Sequence, residues 1–294
     1  MQIQKSFKGQ SAYGKLYLVA TPIGNLEDMT FRAIKTLKEV NWIAAEDTRN
    51  TGLLLKHFDI STKQISFHEH NAKEKIPDLI DLLKQGQDIA QVSDAGLPSI
   101  SDPGHDLVKV AIEEDIAVVT VPGASAGISA LIASGLAPQP HIFYGFLPRK
   151  SGQQKHFFES KKDYPETQIF YESPHRVADT LENMIEVYGD RSVVLVRELT
   201  KIYEEYTRGT IEELVAYLEE NPLKGECLLI VEGASEQEPD LEEVDLIQEI
   251  DLLVQSGIKK NQAIKQVAKQ FGLQKSDLYA RYHQEEEKGE SDGN

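Results

Sequence analysis

Two short loops rich in small residues hold the side chains best suited to binding a small molecule. The first, residues 93–104 (SDAGLPSISDPG), follows an apolar run at Asp88–Val92, and the second, residues 122–127 (PGASAG), follows Ile116–Val121. Glycines let a ligand approach the main chain, and serine and aspartate supply short polar groups. Each loop alone is equally typical of turn and cap chemistry, with Asp102 before a proline as a favourable N-cap. Two such loops on successive strand–helix units favour a small-molecule site.

The elements that position these loops alternate between strands and helices. Apolar runs at Lys15–Thr21, Asn41–Ala45 and Gln64–Phe67 precede the two named above, and a loop and a helical pattern follow each of them. Repeated strand–loop–helix units predict a doubly wound parallel sheet over residues 15–138. Because ligands bind outside the carboxyl ends of such strands, both loops are expected at the ligand-binding edge.

The second half of the chain follows a different pattern. After a linker signal at Ala137–Pro140, five predicted strands are separated by fewer helices, which indicates a mixed sheet in a second domain, residues 139–234. An acidic linker then leads to helices predicted at 244–255, 260–271 and 275–284, with helix-turn-helix rhythm. The expected fold is therefore α/β with two domains and a small helical C-terminal appendage, residues 244–284.

The composition excludes several broad classes of protein. There are 31 basic and 48 acidic residues, a formal net charge of −17, which argues against a surface that binds nucleic acid throughout but not against a local basic face. The single cysteine, Cys227, allows no intramolecular disulfide and is typical of a reducing cytosol. Neither a long apolar run nor a secretory signal is evident, so a cytoplasmic location without membrane contact is expected.

Eight segments in order carry a family resemblance that extends from about residue 15 to residue 284. They are LYLVATPIGNLEDMT, AAEDTRNTGLLLKHF, VSDAGLPSISDPG, VPGASA, FYGFLPRK, FYESPHRV, RELTK and KGE. Together they resemble the ribosomal RNA small subunit methyltransferase I family, a branch of the tetrapyrrole methylase superfamily of class III methyltransferases. The resemblance implies two α/β domains with S-adenosylmethionine between them, a homodimer, and 2′-O-methylation of cytidine 1402 in 16S ribosomal RNA.

The resemblance also implies which residues contact the cofactor, largely through backbone groups. In the superfamily, the loops after the fourth and fifth strands hold it, and two segments of the second domain close over it. The corresponding residues here are Pro22 in the first loop, Ser93, Asp94, Gly96, Ile100 and Ser101, then Ser125 and Ala126, and finally Phe170, Tyr171, Glu172, Lys224, Gly225 and Glu226. Asp94 would accept a hydrogen bond from a ribose hydroxyl or an ammonium group, although a turn-stabilising role is equally open.

Methyl transfer to a ribose hydroxyl is a direct displacement that depends on orientation. A general base would add about two to four decades in rate. The candidates are carboxylates at or near predicted strand ends, namely Glu46, Asp47, Glu172 and Glu198. Each has a structural alternative, because Glu46 and Asp47 are placed to cap a helix and Glu198 to pair with Arg197 or Lys201. The sequence does not choose among them.

No metal site is predicted. His68 and His70 would share one face of a strand, but no closed ligand set accompanies them, so a polar strand end is the favoured interpretation.

Two basic stretches stand out on this acidic chain as candidate RNA contacts. Residues 149–162 hold five basic residues and one acidic residue, and residues 258–281 hold six and one. Such runs are also typical of a solvated face, and Arg176 of a structural ion pair. The predicted contacts to RNA phosphates are Arg49, Arg149, Lys150, Arg176, Arg197, Lys259 and Lys260. Single-stranded or splayed RNA is expected, since a ribose hydroxyl must reach a cleft.

Two other functions remain open. One is a small-molecule methylase of the corrin or porphyrin type, which the basic stretches disfavour. The other is a non-catalytic RNA-binding assembly factor with a relic pocket. A dinucleotide-dependent dehydrogenase is disfavoured because no G-x-G-x-x-G follows the first strand.

Overall fold

The computed structural model of the protein describes residues 1–4, 12–100, 102, 104–235, 246–271 and 273–291, with the backbone alone for residues 270 and 284–291. The chain divides into two compact units, Met1–Gly233 and Ala234–Asn294. None of the described helices combines the length and the apolar character needed to cross a bilayer.

The first sheet of the larger unit is parallel throughout. Its strand order is β3-β2-β4-β1-β5, and every neighbouring pair runs in the same direction. The strands are β1 (Leu16–Val19), β2 (Trp42–Ala45), β3 (Lys63–Ser66), β4 (Ile89–Val92) and β5 (Val118–Val121). They alternate with α1 (Phe31–Glu39), α2 (Thr48–His57), α3 (Ala72–Lys84), α4 (Gly104–Glu113) and α5 (Ala126–Ser134). The predicted doubly wound parallel sheet is confirmed.

Helices cover both faces of this sheet, as a sheet of apolar strands requires. On one face Leu37 of α1 and Leu55 of α2 pack with Ile43 of β2. On the other face Leu79 of α3 and Leu107 of α4 pack in a second cluster. Consecutive strand residues point to opposite faces, which is why β1, β2, β4 and β5 each contribute to both clusters.

The second sheet is mixed, as predicted. Its order is β6-β7-β10-β8-β9; β6 and β7 are parallel, and the other pairs are antiparallel. The strands are β6 (His141–Phe146), β7 (Thr167–Glu172), β8 (Ser192–Arg197), β9 (Glu205–Thr210) and β10 (Cys227–Val231). Residues of α6 (Ser151–Glu159), α7 (Val177–Tyr188) and α8 (Ile211–Glu220) form the core on one face.

Helix α5 covers the opposite face of the second sheet. Ala130 and Leu131 of α5 pack with Ile169 of β7 and Ile230 of β10. Arg208 of β9 also donates hydrogen bonds to the carbonyl oxygens at the end of α5. The helix that precedes the predicted boundary at residue 138 thus belongs to the core of the sheet that follows it, and the boundary itself stays a prediction.

The smaller unit contains three helices among its described residues: α9 (Leu246–Gln255), α10 (Lys260–Gln270) and α11 (Lys275–Ser291). They pack around Ile250, Ile264, Val267 and Leu278. The helix pattern predicted for this segment is confirmed. Its expected start at residue 244 lies outside the described residues, and α11 extends beyond the predicted end at residue 284.

Candidate functional site

The loops that follow β1, β4 and β5 meet at one edge of the first sheet. Thr21 and Gly96 exchange backbone hydrogen bonds of 2.9 and 3.1 Å, and the hydroxyl of Thr21 donates to the carbonyl oxygen of Ser93 at 3.1 Å. Gly123 lies so close to β1 that a Cβ there would stand 2.7 Å from the Cβ of Ala20. The order β4-β1-β5 places the three loops side by side, as expected of a ligand-binding edge.

A first cavity of about 430 Å³ opens at this edge, lined by the loops that follow strands of the first sheet and by strand and loop residues of the second. The residues predicted from the sequence that line it are Glu46, Ser93, Gly96, Ile100, Ser125, Ala126, Tyr171, Glu172, Gly225 and Glu226. The structure therefore brings together most of the predicted contact residues. It adds others that the sequence analysis missed, among them Ile23, Leu97, Asp102, Phe146 and Leu199. Phe146 and Leu199 lie within the quoted FYGFLPRK and RELTK segments, which is the signal that could have identified them.

Some predicted contact residues lie elsewhere. Pro22 and Asp94 line a second cavity of about 340 Å³, next to the first. Phe170 is fully buried and stacks on Tyr144 with ring centroids 5.4 Å apart, because strand alternation puts it on the face of β7 opposite to Tyr171. Lys224 is exposed and lines neither cavity, and Ser101 lies outside the described residues.

The second cavity lies between the first loop and α2. Its lining residues are Thr21, Pro22, Gly24 and Leu26 from the loop, Asn50, Thr51, Leu53, Leu54 and His57 from α2, and Ser93 and Asp94 from the end of β4. Ser93 lines both cavities, so the two adjoin at the end of β4.

The first cavity is acidic. Four carboxylates line it, and its described lining residues include no lysine or arginine; the acids are Glu46, Asp102, Glu172 and Glu226. Glu46 accepts a hydrogen bond from the Asp94 amide at 3.2 Å. Partial burial raises the pKa of the Glu46 carboxyl, and the charges of Asp94 and Asp102 add to this rise. Such a lining suits a cationic ligand and repels a phosphate.

Asp102 organises the loop after β4. Its carboxylate accepts from the amides of Ser99 and Gly104, both at 2.8 Å, and from the side-chain amide of Gln91 at 3.0 Å. Gly104 starts α4, so Asp102 accepts from the first amide of that helix, and it also lines the first cavity. A Cβ on Gly104 would stand 1.8 Å from the Gln91 amide nitrogen, which explains why glycine is needed here.

Asp47 is the N-cap of α2. Its carboxylate accepts from the backbone and the guanidinium of Arg49, at 2.8 and 2.7 Å, and these bonds lower the pKa of Asp47 to about 2. Because of this cap, α2 begins at Thr48. Asp47 therefore caps a helix, which was the structural alternative considered for it. Arg49 pairs with Asp47, and the Arg49 side chain stays exposed.

Glu172 is buried at the end of β7 with its carboxylate engaged. It accepts from the Ser173 amide at 2.7 Å and from the Thr180 hydroxyl at 3.0 Å, and Arg176 lies 3.3 Å away. Arg176 also donates to the carbonyl oxygen of Pro148 at 2.7 Å. The structural ion pair considered for Arg176 is present.

Glu198 follows β8 with a left-handed backbone, φ +51°. Its carboxylate accepts from the Glu226 amide at 2.9 Å and from Lys201 at 3.0 Å, and Lys201 also reaches Glu226 at 3.2 Å. The Glu226 amide and Lys201 hold the pKa of Glu198 below its ordinary value. Of the two pairings considered for Glu198, the one with Lys201 is observed, whereas Arg197 pairs with Glu205.

The remaining predicted RNA contacts lie on exposed or helical surfaces. Arg149 and Lys150 are exposed at the start of α6. Lys259 occupies the N-cap position of α10, and Lys260 lies over the ring of Tyr282 at 5.3 Å.

The rings of His68 and His70 lie edge to face with centroids 5.9 Å apart, and the described residues include no cluster of three or more side chains suited to a metal ion.

Comparison with known proteins places this architecture in a class. The sequence profile of the family described as Tetrapyrrole (Corrin/Porphyrin) Methylases matches residues 15–215. Among solved structures, the fold is similar to that of diphthine synthase, with a TM-score of 0.57 at 13% identity, covering 75% of this chain and 90% of that one. It is also similar to uroporphyrin-III C-methyltransferase from Thermus thermophilus complexed with S-adenosylhomocysteine, with a TM-score of 0.52 at 19% identity, covering 74% and 97%.

The sequence has much more similar relatives. It is 70% identical over 285 residues to ribosomal RNA small subunit methyltransferase I of Streptococcus pyogenes serotype M1, covering 96% of this chain and 99% of that protein. It is 53% identical to the protein of that name from Halalkalibacterium halodurans, covering 97% and 100%, and 48% identical to that from Bacillus subtilis, covering 95% and 98%. The chain belongs to the tetrapyrrole methylases and, within them, to the ribosomal RNA small subunit methyltransferase I family.

Proposed function

We propose that the protein transfers a methyl group from S-adenosylmethionine to a ribose 2′-hydroxyl of 16S ribosomal RNA. The observation that carries the proposal is the first cavity, which is acidic, partly apolar and built at the ligand-binding edge of a methylase fold. S-adenosylmethionine has a sulfonium and an ammonium group, so carboxylates without an opposing lysine or arginine among the described lining residues suit it. The names of the relatives indicate the RNA class that is modified.

The residues of the first cavity fit the other parts of this cofactor. Phe146 and Tyr171 lie edge to face with ring centroids 5.5 Å apart and offer an apolar surface for the adenine. Ser125 lines the cavity as the N-cap of α5, and helix capping does not engage its hydroxyl. Glu46, Asp102 and Glu226 are placed to accept from the ammonium group and the ribose hydroxyls.

Methyl transfer requires little from the protein besides orientation and a place for one proton. When bound, the cofactor supplies the methyl group: the acceptor oxygen forms a C–O bond as the C–S bond breaks, the electron pair passes to sulfur, and the hydroxyl proton leaves to a base or to water. Among the four candidate bases, Glu46 alone combines a place in the cavity lining with a raised pKa. Asp47 and Glu198 have lowered pKa values, and Glu172 is held by the donors around it.

The finer assignments rest on the family. The methylated nucleotide is cytidine 1402, the substrate is the small ribosomal subunit, and the enzyme works in the cytoplasm as a homodimer. Ile128 and Ile132, one turn apart on α5, are 45% and 75% exposed in the single chain, which suits an apolar contact with a second copy.

A paired assay tests the proposal. The full-length protein is titrated with S-adenosylmethionine by calorimetry and then incubated with labelled cofactor and either small ribosomal subunits or a precorrin. We expect heat of binding. We also expect label at one cytidine of the 16S RNA, where the RNA chain then resists alkaline hydrolysis. Label on the tetrapyrrole alone would support the small-molecule methylase instead, and the absence of binding heat would support a relic pocket.

A further inference from the structure

We propose that the second cavity takes the acceptor, one unpaired RNA nucleotide, with Asp94 accepting a hydrogen bond from its ribose hydroxyl. The inference rests on the proposed function and adds the site at which the substrate enters. The cavity, about 340 Å³, falls within the size range of small-molecule sites.

The position of the second cavity is what a direct displacement requires. The acceptor oxygen must reach the methyl group from the side away from the sulfur, so donor and acceptor need adjoining sites. Ser93 lines both cavities, and Thr21 fixes it by donating to its carbonyl oxygen at 3.1 Å. The two cavities therefore adjoin at the end of β4.

Asp94 has groups on the sides of both cavities. Its backbone amide donates to Glu46 on the side of the first cavity, at 3.2 Å. Its carboxylate lies on the side of the second cavity, where the side-chain amide of Asn50 donates to Oδ2 at 3.1 Å. Asn50 therefore orients Asp94, whose second oxygen belongs to the surface that an acceptor hydroxyl would meet.

The rest of the lining suits a nucleotide. Leu26 and Leu53 are 41% and 72% exposed and, with Pro22, provide apolar surface for a base and a sugar. Asn50, Thr51 and His57 add polar groups that can bind the edge of a base. Arg49, which precedes Asn50 on the same helix, has an exposed guanidinium that would exchange its pairing with Asp47 for an RNA phosphate.

The chemistry distinguishes this cavity from the first. The first cavity contains four carboxylates among its described lining residues, two of them ion-paired, whereas the second contains one, Asp94, which Asn50 already engages. The sequence resemblance assigns Asp94 to the cofactor; the geometry points to the acceptor instead.

A substitution that fills the second cavity tests the proposal. Leu53 is exposed on α2, so Leu53→Trp should fold while occupying the cavity mouth. We expect the KM for small ribosomal subunits to rise at least tenfold with the dissociation constant for S-adenosylmethionine within twofold. Ile112→Trp, at an exposed site on α4 that lines neither cavity, is the matched control and should change neither quantity. An unchanged KM for Leu53→Trp would overturn the proposal.

Asp94→Asn separates the two possible sides for this carboxylate. If Asp94 binds the acceptor, Asp94→Asn should raise the KM for the RNA and lower kcat, while the affinity for the cofactor is retained. If calorimetry instead shows cofactor binding weakened as much as turnover, Asp94 belongs to the first cavity and the proposal is wrong.

A crosslinking experiment reads out the site without turnover. Small ribosomal subunits containing photoreactive 5-iodocytidine in their 16S RNA are irradiated with the full-length protein and S-adenosylhomocysteine, and crosslinked peptides are mapped. We expect crosslinks within residues 21–26 or 50–57 that Leu53→Trp abolishes. Methylation with crosslinks only elsewhere would overturn the cavity assignment alone. Crosslinks at this cavity without methylation of the RNA would overturn the proposed reaction and leave the RNA site standing.

Discussion

Gly225 leaves the space that the carboxylate of Glu198 occupies. A Cβ on Gly225 would stand 2.2 Å from Oε1 of Glu198, and Gly225 itself has φ +90°. That carboxylate accepts from the Glu226 amide and from Lys201, whose stem lies against Gly24 in the first loop. Because residue 225 is a glycine, a series of contacts can run from Glu226 through Glu198 and Lys201 to the loop after β1.

Gly225→Ala should be much more costly than an alanine at a glycine with a similar φ. Gly135 has φ +91° with nothing within 4 Å of a built Cβ, so Gly135→Ala incurs the backbone strain alone, about 1 kcal/mol. Gly225→Ala adds displacement of Glu198, for a total of about 3 kcal/mol. Urea unfolding measures the difference, and calorimetry should show weaker cofactor binding for Gly225→Ala only. Equal costs for the two variants would mean that the Glu198 carboxylate can move aside freely.

The Glu198 contacts should give the protein a stability term that depends on pH. The pKa of Glu198 in the folded state lies below its ordinary 4.5. Its stabilisation is therefore present above pH 4.5 and lost as the pH falls through the lowered folded-state pKa. Glu198→Gln should be less stable than wild type by about 1 kcal/mol at neutral pH, and the gap should close in acid. Glu219→Gln, at an exposed site on α8, should show no such convergence.

The contacts of Glu172 predict a structural rather than a catalytic carboxylate. Thr180 is fully buried between Glu172 and Gln154, at 3.0 and 3.2 Å. Thr180→Val would leave both partners without this hydroxyl and should cost about 1–3 kcal/mol, whereas Thr180→Ser should cost less. For Glu172→Gln we expect a comparable loss of stability with kcat lowered less than tenfold. A hundredfold fall in kcat at unchanged stability would instead make Glu172 catalytic.

Glu46 should make cofactor binding depend on pH. Burial raises the pKa of this carboxyl, so it gains a proton at a higher pH than an exposed glutamate does. Because the ionised form faces a cationic cofactor, wild-type affinity should fall as the pH is lowered from about 8 to about 5. Glu46→Gln should bind about tenfold more weakly at neutral pH, equivalent to about 1.4 kcal/mol, with a flatter pH dependence. A parallel pH dependence in the variant would exclude Glu46 as its source.

Local sequence signals identified the strands, their loops and the parallel arrangement, because apolar runs and glycine–proline turns act over a few residues. They did not determine which face each residue takes. Phe170 and Tyr171 are adjacent in a motif, yet only Tyr171 lines the cavity. The link between Asn50 and Asp94 joins residues 44 positions apart and depends on the start of α2 lying beside the loop after β4. The second cavity arises from such long-range proximity and has no signature in any one segment.

The smaller unit should contribute to RNA affinity through the exposed face of α10. Ile264 and Val267 form the buried face of that helix, which leaves Lys265 and Lys269 exposed on the other side, after an exposed Lys259 at the N-cap. If the three lysines contact phosphates, replacing all of them with glutamine should lower the slope of log K against log salt by about 2, at about 0.7 per contact with single-stranded RNA. Filter binding of 16S RNA over a range of salt concentrations measures the slope, and cofactor affinity should stay unchanged. Lys38→Gln, at an exposed site on α1, controls for loss of charge alone. An unaltered slope in the triple variant would show that this lysine face is merely solvated and that the RNA is bound elsewhere on the protein.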